Sequence, residues 1–180
     1  MAGTLTVQNI QGPSSGANAN KVIIPAGQTL SVTDGVQVSD LPAGSTLQMQ
    51  RTQSTNAARI NTTSTSSVDS GIGLSVTALK TGSKFRVSFL APMSHANLDD
   101  LIVNLWRNDT GLIGSQFSFA FQDDGFNQYQ PTVIDYLDPN TATAGTTYQY
   151  KVYFNSRFGN EVQLVHNTSG YYFTVEEIAQ

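Results

Sequence analysis

The strongest constraint on the fold is an alternation of large apolar and polar side chains with a period of two. In residues 84–89, phenylalanine and valine occupy the odd positions, while lysine, arginine and serine occupy the even ones. The same alternation recurs in residues 74–78, 116–122 and 147–154. Neighbouring side chains of a β-strand point to opposite faces, so this pattern predicts strands with one buried and one solvated face.

Further strand-like segments and turn signals complete the pattern. The additional strand-like runs are residues 47–60, 101–107, 131–137, 161–166 and 171–178. Between runs lie turn-forming Asp, Asn, Gly and Pro clusters at residues 109–111, 123–125, 138–140, 158–160 and 169–170. Eight or nine strands at roughly even spacing predict an all-β fold, with an antiparallel β-sandwich of jelly-roll type over residues 48–180.

Residues 1–47 differ from the rest of the chain because they contain no aromatic side chain. Two similar Pro-x-Gly turn units, residues 25–30 and 42–47, lie seventeen residues apart. Such short strands are stable only when something else covers them. We therefore expect an extended stalk that associates with identical copies and anchors to a larger particle; the alternative is a flexible tail with two turns. The candidate anchoring residues are the apolar ones: Leu5, Val7, Ile10, Val22, Ile23, Ile24 and Leu30.

Composition excludes several classes of function. Charged residues are 12% of the chain and its net charge is −4, with nine scattered basic residues, which does not fit a nucleic-acid-binding surface. The chain has no cysteine, which excludes disulfides, cysteine–zinc sites and a thiol nucleophile. Neither a signal peptide nor an apolar membrane-spanning run is present, so we expect synthesis in the cytoplasm and no membrane insertion.

The sequence predicts no enzyme, metal site or cofactor. The two histidines, His95 and His166, lie far apart, and no nucleophile, zinc-protease or phosphate-loop motif occurs. Residues 123–127 could form a calcium loop, but they lack the usual ligand spacing and are better read as a hairpin turn. Two facing carboxyl groups, as a glycosidase needs, are not excluded by the sequence alone.

A small set of aromatic residues is suited to receptor contact. Trp106 is the only tryptophan, and Tyr129, Tyr171 and Tyr172 fall near predicted loops or strand ends. Aromatic rings beside Asn, Gln and Asp suit sugar recognition. The competing interpretation is that these rings pack in the core or at subunit contacts.

Several segments resemble structural proteins of tailed bacteriophages. A Ser/Thr-rich run in residues 61–67 precedes an Asp-x-Gly and a Leu-x-Val motif, and Ser-Lys-Phe follows at residues 83–85. Residues 171–179 form a segment that contains Tyr and Thr and ends in Glu-Ile-Ala. Residues 7–16 and 21–27 are similar to the N-terminal segments of fibre-type proteins from marine and cyanobacterial phages. Most of the chain thus resembles small trimeric β-sandwich proteins of such particles.

The resemblance implies a homotrimeric virion protein without enzymatic activity. Its residues 1–47 would dock on other virion proteins, and residues 48–180 would project as a knob that contacts the host surface, including its glycans. This is the arrangement of a short fibre. A decoration protein of the capsid surface and a carbohydrate-binding sandwich module are the alternatives.

Overall fold

The computed structural model describes residues 14–16, 41–95, 99–109, 116–120, 130–165 and 169–180. The chain divides into two compact units, Met1–Val36 and Gln37–Gln180. Of the first unit only residues 14–16 are described, and they form an exposed bend. The second unit contains all of the strands described below.

The described residues form ten β-strands and no helix, so nothing among them is a helix able to cross a membrane. The strands are β1 (Thr46–Ala57), β2 (Ile60–Thr62), β3 (Val68–Thr77), β4 (Lys84–His95), β5 (Asp100–Arg107), β6 (Gln116–Ala120), β7 (Gln130–Leu137), β8 (Thr147–Ser156), β9 (Val162–Val165) and β10 (Ser169–Ile178).

The strands build two antiparallel sheets. A six-stranded sheet has the order β1-β10-β4-β9-β2, with β7 paired to β4, and a four-stranded sheet has the order β3-β8-β5-β6. Their inward faces contribute to one hydrophobic core, which makes the second unit a β-sandwich. The predicted fold class is therefore confirmed for the described residues.

The core is rich in aromatic side chains supplied by the alternating strands. Phe85 and Phe89 of β4 are fully buried, as are Tyr150 of β8 and Phe173 of β10. Phe85 contacts Tyr150 edge-on at 5.6 Å between ring centroids, and Phe89 contacts Phe173 at 6.2 Å. Burying one such ring contributes about 1.5–3 kcal/mol, so the inward set of the alternation accounts for much of the cohesion between the sheets.

Two of the differences from the predicted strands show the effect of a partner strand. Residues 47–60 were expected to form one strand, but the chain leaves β1 at Ala57, and β2 begins at Ile60 with β9 as its partner. Ser169 and Gly170 were expected to form a turn, but they are the first residues of β10 because Ser169 pairs with Ala57 of β1. In both places the available partner strand overrides the local composition.

Candidate functional site

The outer face of the four-stranded sheet carries polar and aromatic side chains that reach solvent. Tyr148, Tyr150, Val152 and Phe154 of β8 point into the core, so the intervening residues of the same strand point outward. Strand register places pairs side by side on this face: Asp69 with Tyr153, Gly73 with Lys151, Ser75 with Gln149, and Lys151 in turn with Trp106 of β5. This face is polar and aromatic rather than aliphatic.

A groove lies on this face between β3 and β8. It has a volume of about 410 Å³. The residues that line it include Asp69, Gly71, Gly73, Ser75, Gln149 and Lys151, and we call it the β3–β8 groove. A pocket volume of about 300–1,000 Å³ is usual for small-molecule sites, so the groove is large enough to hold part of a ligand.

A bulge in β3 forms one wall of the groove. The pairing with β8 shifts register between Asp69 and Gly73. Gly71 adopts a φ of 75°, a conformation that favours glycine. The bulge is fixed because the Ser70 hydroxyl donates to the carbonyl of Val152 at 2.6 Å and the Gly71 amide donates to Asp69 at 2.8 Å.

Gly73 lies where the floor of the groove is closely packed. A Cβ atom at this position would lie 2.6 Å from the carbonyl oxygen of Tyr150 and 3.0 Å from Cγ of Lys151. No side chain therefore fits without moving the neighbouring strand. Glycine at this position therefore allows β3 to lie close against β8 beneath the groove.

Lys151 is held between two carboxylates. Its ammonium donates to Asp109 Oδ1 at 2.7 Å and lies 3.4 Å from Asp69 Oδ2. The hydrogen bond to Asp109, followed by the charges of both carboxylates, raises the pKa of Lys151 above its ordinary value. Lys151 is therefore a fixed cation, and the three groups together carry a formal charge of about −1 at neutral pH.

An aromatic stack lies on the other side of Lys151. The rings of Trp106 and Tyr153 are nearly parallel, at 16°, with centroids 4.0 Å apart. Both residues are half-buried, so part of each ring remains accessible. Burial and then the negative charge of Asp69 raise the pKa of Tyr153 above its ordinary value of 10.0, and a neutral phenol can donate a hydrogen bond.

A buried amide cluster supports this face. Asn104 lies opposite Tyr153 in the register and is 1% exposed. Its amide donates to Ser67 Oγ at 3.0 Å and to Asn155 Oδ1 at 3.4 Å. Hydrogen-bonded amides fix the relative positions of the β3 entry, β5 and β8, and so hold the stack in place.

Three buried carboxylates elsewhere in the sandwich brace loops. Asp99 accepts hydrogen bonds from the Ser156 hydroxyl and from the amides of Arg157, Phe158 and Asn160. Burial alone would raise the pKa of Asp99, but these donors lower it below its ordinary value. Asp99 thus holds the connection between β8 and β9 as an anion.

The other two buried carboxylates also accept hydrogen bonds that hold separate parts of the chain together. Glu177 accepts from the Leu79 and Lys80 amides and from the Ser83 hydroxyl, which fixes the β3–β4 turn to β10. Asp138 accepts from Arg107 and from the Tyr150 hydroxyl, each at 2.8 Å. None of the three carboxylates is among the residues that line the β3–β8 groove.

The structure separates the residues that the sequence singled out. Trp106 lies on the outer face, beside the groove, whereas Tyr171 is half-buried and packs against the core, 6.4 Å from Phe89. Trp106 and Tyr171 belong to different sheets and are not brought together. Tyr129 lies outside the described residues. So do all of the candidate anchoring residues, which are Leu5, Val7, Ile10, Val22, Ile23, Ile24 and Leu30.

Sequence reasoning missed the main members of the site, which are Lys151, Tyr153 and Asp69. The alternation in residues 147–154 already assigned Lys151 and Tyr153 to the solvated face. Only the register of three strands shows that these residues meet Trp106 and Asp69.

No family model matches the chain, and no curated protein matches it.

Proposed function

We propose that this chain is a non-enzymatic structural protein of a tailed-bacteriophage particle, a homotrimeric short fibre. The part of the chain that precedes the sandwich docks on other virion proteins and on the same segment of the other copies, and the sandwich, which begins with β1 at Thr46, is the projecting knob. The motif resemblance supports the class of particle. The division of the chain into units Met1–Val36 and Gln37–Gln180 supports a protein of two parts.

The observation that carries the proposal is that the buried carboxylates have a structural role. Asp99, Asp138 and Glu177 are each 0% exposed, and each accepts several hydrogen bonds from a loop or turn. A catalytic carboxyl group needs an accessible oxygen that can reach its substrate. These groups instead rigidify the connections of the sandwich, as a durable particle component requires.

The exposed carboxylates near the groove do not form a catalytic pair. Asp69 and Asp109 both face the ammonium of Lys151, which occupies the space between them. A glycosidase needs that space for the glycosidic bond, with one carboxyl group protonated. The arrangement favours binding over hydrolysis.

A decoration protein of the capsid surface is a second candidate, favoured by the outer face of the six-stranded sheet. Met49 is 60% exposed and Val133 is 65% exposed, and Leu137 and Tyr172 also reach solvent on this sheet. These side chains share the face with the Arg86–Asp135 ion pair, and a face of mixed apolar and charged side chains suits contact with another protein. On this alternative the six-stranded sheet lies against the shell, and the four-stranded sheet faces outward.

Light scattering of the purified full-length chain tests the trimer. We expect three times the chain mass of 19.3 kDa at micromolar concentration. Ile23→Asp places a charge in the apolar set of the stalk and should shift the chain towards monomer, because an unpaired buried charge is costly. Ser31→Asp, a polar position in the same segment, is the matched control and should remain trimeric.

Two results would contradict the proposal. A monomeric wild-type chain under these conditions removes the trimer. Immunogold labelling of purified particles decides the position: label at the tail supports the fibre, label over the capsid supports the decoration protein, and no label on particles overturns both.

A further inference from the structure

We infer that the β3–β8 groove and the adjoining Trp106–Tyr153 stack together form a binding site for an uncharged oligosaccharide. The inference deepens the proposed function and rests on it, since a projecting knob is the part of a particle that meets surface glycans. It is carried by the arrangement of three elements on one face: a groove, a set of polar groups and an aromatic wall.

The polar groups of the groove match the hydroxyls of a sugar. Asp69 offers carboxylate acceptors, Lys151 offers ammonium donors, and Gln149 and Ser75 offer both kinds of group. Adjacent hydroxyls of a sugar ring each donate and accept one or more hydrogen bonds. A groove with mixed donors and acceptors on neighbouring strands satisfies them without a net charge on the ligand.

The aromatic wall lies within one strand spacing of these groups. Trp106 is the β5 partner of Lys151, and adjacent strands are about 5 Å apart. The accessible part of the Trp106–Tyr153 stack offers an apolar surface for the C–H face of a sugar. One saccharide unit in the groove and the next against the stack would use both features, which favours an oligosaccharide over a single sugar.

The site is organised before a ligand binds. Two carboxylates fix the ammonium of Lys151, and Tyr153 fixes the ring of Trp106. The bulge that shapes β3 is held by the hydrogen bond of Ser70 to Val152. Groups that are already ordered lose little conformational entropy on binding, which improves the affinity of a shallow site.

Charge selects among glycans. Asp69 and Asp109 carry two negative charges against the one positive charge of Lys151, so the site has a negative net charge. The whole chain also has a negative net charge, of −4. A sialylated or uronic-acid-containing glycan would bring its carboxylate towards these groups and be repelled. The preferred ligand is therefore uncharged.

Tryptophan fluorescence of the full-length protein tests the inference directly, because Trp106 is the only tryptophan. The probes are maltotriose, mannotriose and triacetylchitotriose as uncharged trisaccharides, and sialyllactose as the acidic one. We expect at least one uncharged probe to change the emission saturably, with a Kd in about the millimolar range or tighter. Sialyllactose should bind at least about tenfold more weakly.

Lys151→Met should weaken binding of the responding probe by about tenfold or more. Lys84→Met is the matched control, since Lys84 lies on the six-stranded sheet, and it should bind as the wild type does. If the thermal midpoint of Lys151→Met shows that it does not fold, Gln149→Ala replaces it, with the same expectation of weaker binding.

Three results would overturn the inference: no response to any uncharged probe at millimolar concentration, equal binding of sialyllactose, or equal losses in the groove variant and in Lys84→Met. These results are independent of the trimer test. A trimer that binds none of the probes removes the site alone, and a monomer that binds one of them contradicts the fibre but not the site.

Discussion

At the level of single residues, the buried carboxylates show how this chain uses charge. A carboxylate removed from water is costly unless hydrogen bonds replace its hydration. Glu177 is 0% exposed and receives hydrogen bonds from two backbone amides, from the Ser83 hydroxyl at 2.5 Å and from the Gln48 amide at 2.7 Å. The charge is therefore stabilised by hydrogen-bond donors from β1 and from the β3–β4 turn.

Acid should weaken the sandwich through these groups. Burial would raise the pKa of Glu177, but its hydrogen-bond donors lower it below its ordinary value of 4.5, and the pKa of Asp99 is lowered from 3.8. A lowered pKa means that the folded protein binds the proton less readily than the unfolded chain does. The stabilisation is complete above the unfolded values and is lost as the pH falls through the folded ones.

The variant Glu177→Gln tests whether the charge of the Glu177 carboxylate stabilises the fold. At pH 7 we expect a loss of about 1–3 kcal/mol in the free energy of unfolding, because the amide group cannot accept all of the donors that face the carboxylate. The difference from wild type should shrink as the pH falls below 4.5, the ordinary value from which the pKa of Glu177 is lowered, because the wild-type carboxyl group then loses the stabilisation of its charge. Urea denaturation at a series of pH values measures both the loss of stability at pH 7 and its decrease in acid.

Glu176→Gln is the control for Glu177→Gln. Glu176 is the neighbouring residue on the other face of β10 and is half-buried, so its replacement should change stability by about 0.5 kcal/mol or less. An equal, pH-independent effect of the two variants would show that the Glu177 carboxylate is not a bound anion.

At the level of elements, strand β8 joins the core to the candidate site. Its inward residues Tyr150 and Val152 are fully buried, and the residues between and beside them, Lys151 and Tyr153, belong to the outer face. Because the two sets share one backbone, a shift of β8 by one residue would exchange them. The packing of the core therefore fixes the position of the site.

Gly73→Ala should disturb both β3 pairing and the groove. The new Cβ would lie 2.6 Å from the carbonyl oxygen of Tyr150, and a backbone atom in a central strand cannot easily yield. We expect a loss of about 1–3 kcal/mol in the free energy of unfolding, measured by chemical denaturation. Ser75→Ala, on the same face of the same strand, should cost about 0.5 kcal/mol or less, and equal losses in the two variants would contradict the close packing of β3 on β8.

At the level of the whole molecule, the last strand holds the six-stranded sheet together. β10 lies between β1 and β4 and pairs with both along most of its length. Its pairing with β1 joins Thr46 to Ile178, so the ends of the sandwich domain meet in one ladder. The fold is closed only when the C-terminal strand is in place.

Removal of residues 171–180 should therefore prevent folding. The deletion takes away the buried side chains of Phe173 and Val175 and the carboxylate of Glu177, and it separates β1 from β4. Circular dichroism in the near ultraviolet should lose its aromatic signal, and the chain should become protease-sensitive. Removal of the exposed Gln180 alone should leave both properties unchanged, and a folded chain without residues 171–180 would contradict the central position of β10.

The sequence by itself determined the all-β class and the inward-facing residues of the alternating strands. The alternation in residues 84–89 and 147–154 is a local property, because each strand residue takes its face from its position in the pleat. The pattern correctly predicts the buried positions of both segments. These are Phe85, Val87 and Phe89 in the first, and Tyr148, Tyr150, Val152 and Phe154 in the second.

Only the tertiary structure decided which outward residues meet. The register of β3, β8 and β5 brings together Asp69, Lys151 and Trp106, which are separated by dozens of residues in the chain. That register depends on the bulge after Asp69 and on the pairing of whole strands, and no local pattern specifies either of them. For the same reason the sequence pointed to Trp106 and Tyr171 together, while their strands lie in different sheets.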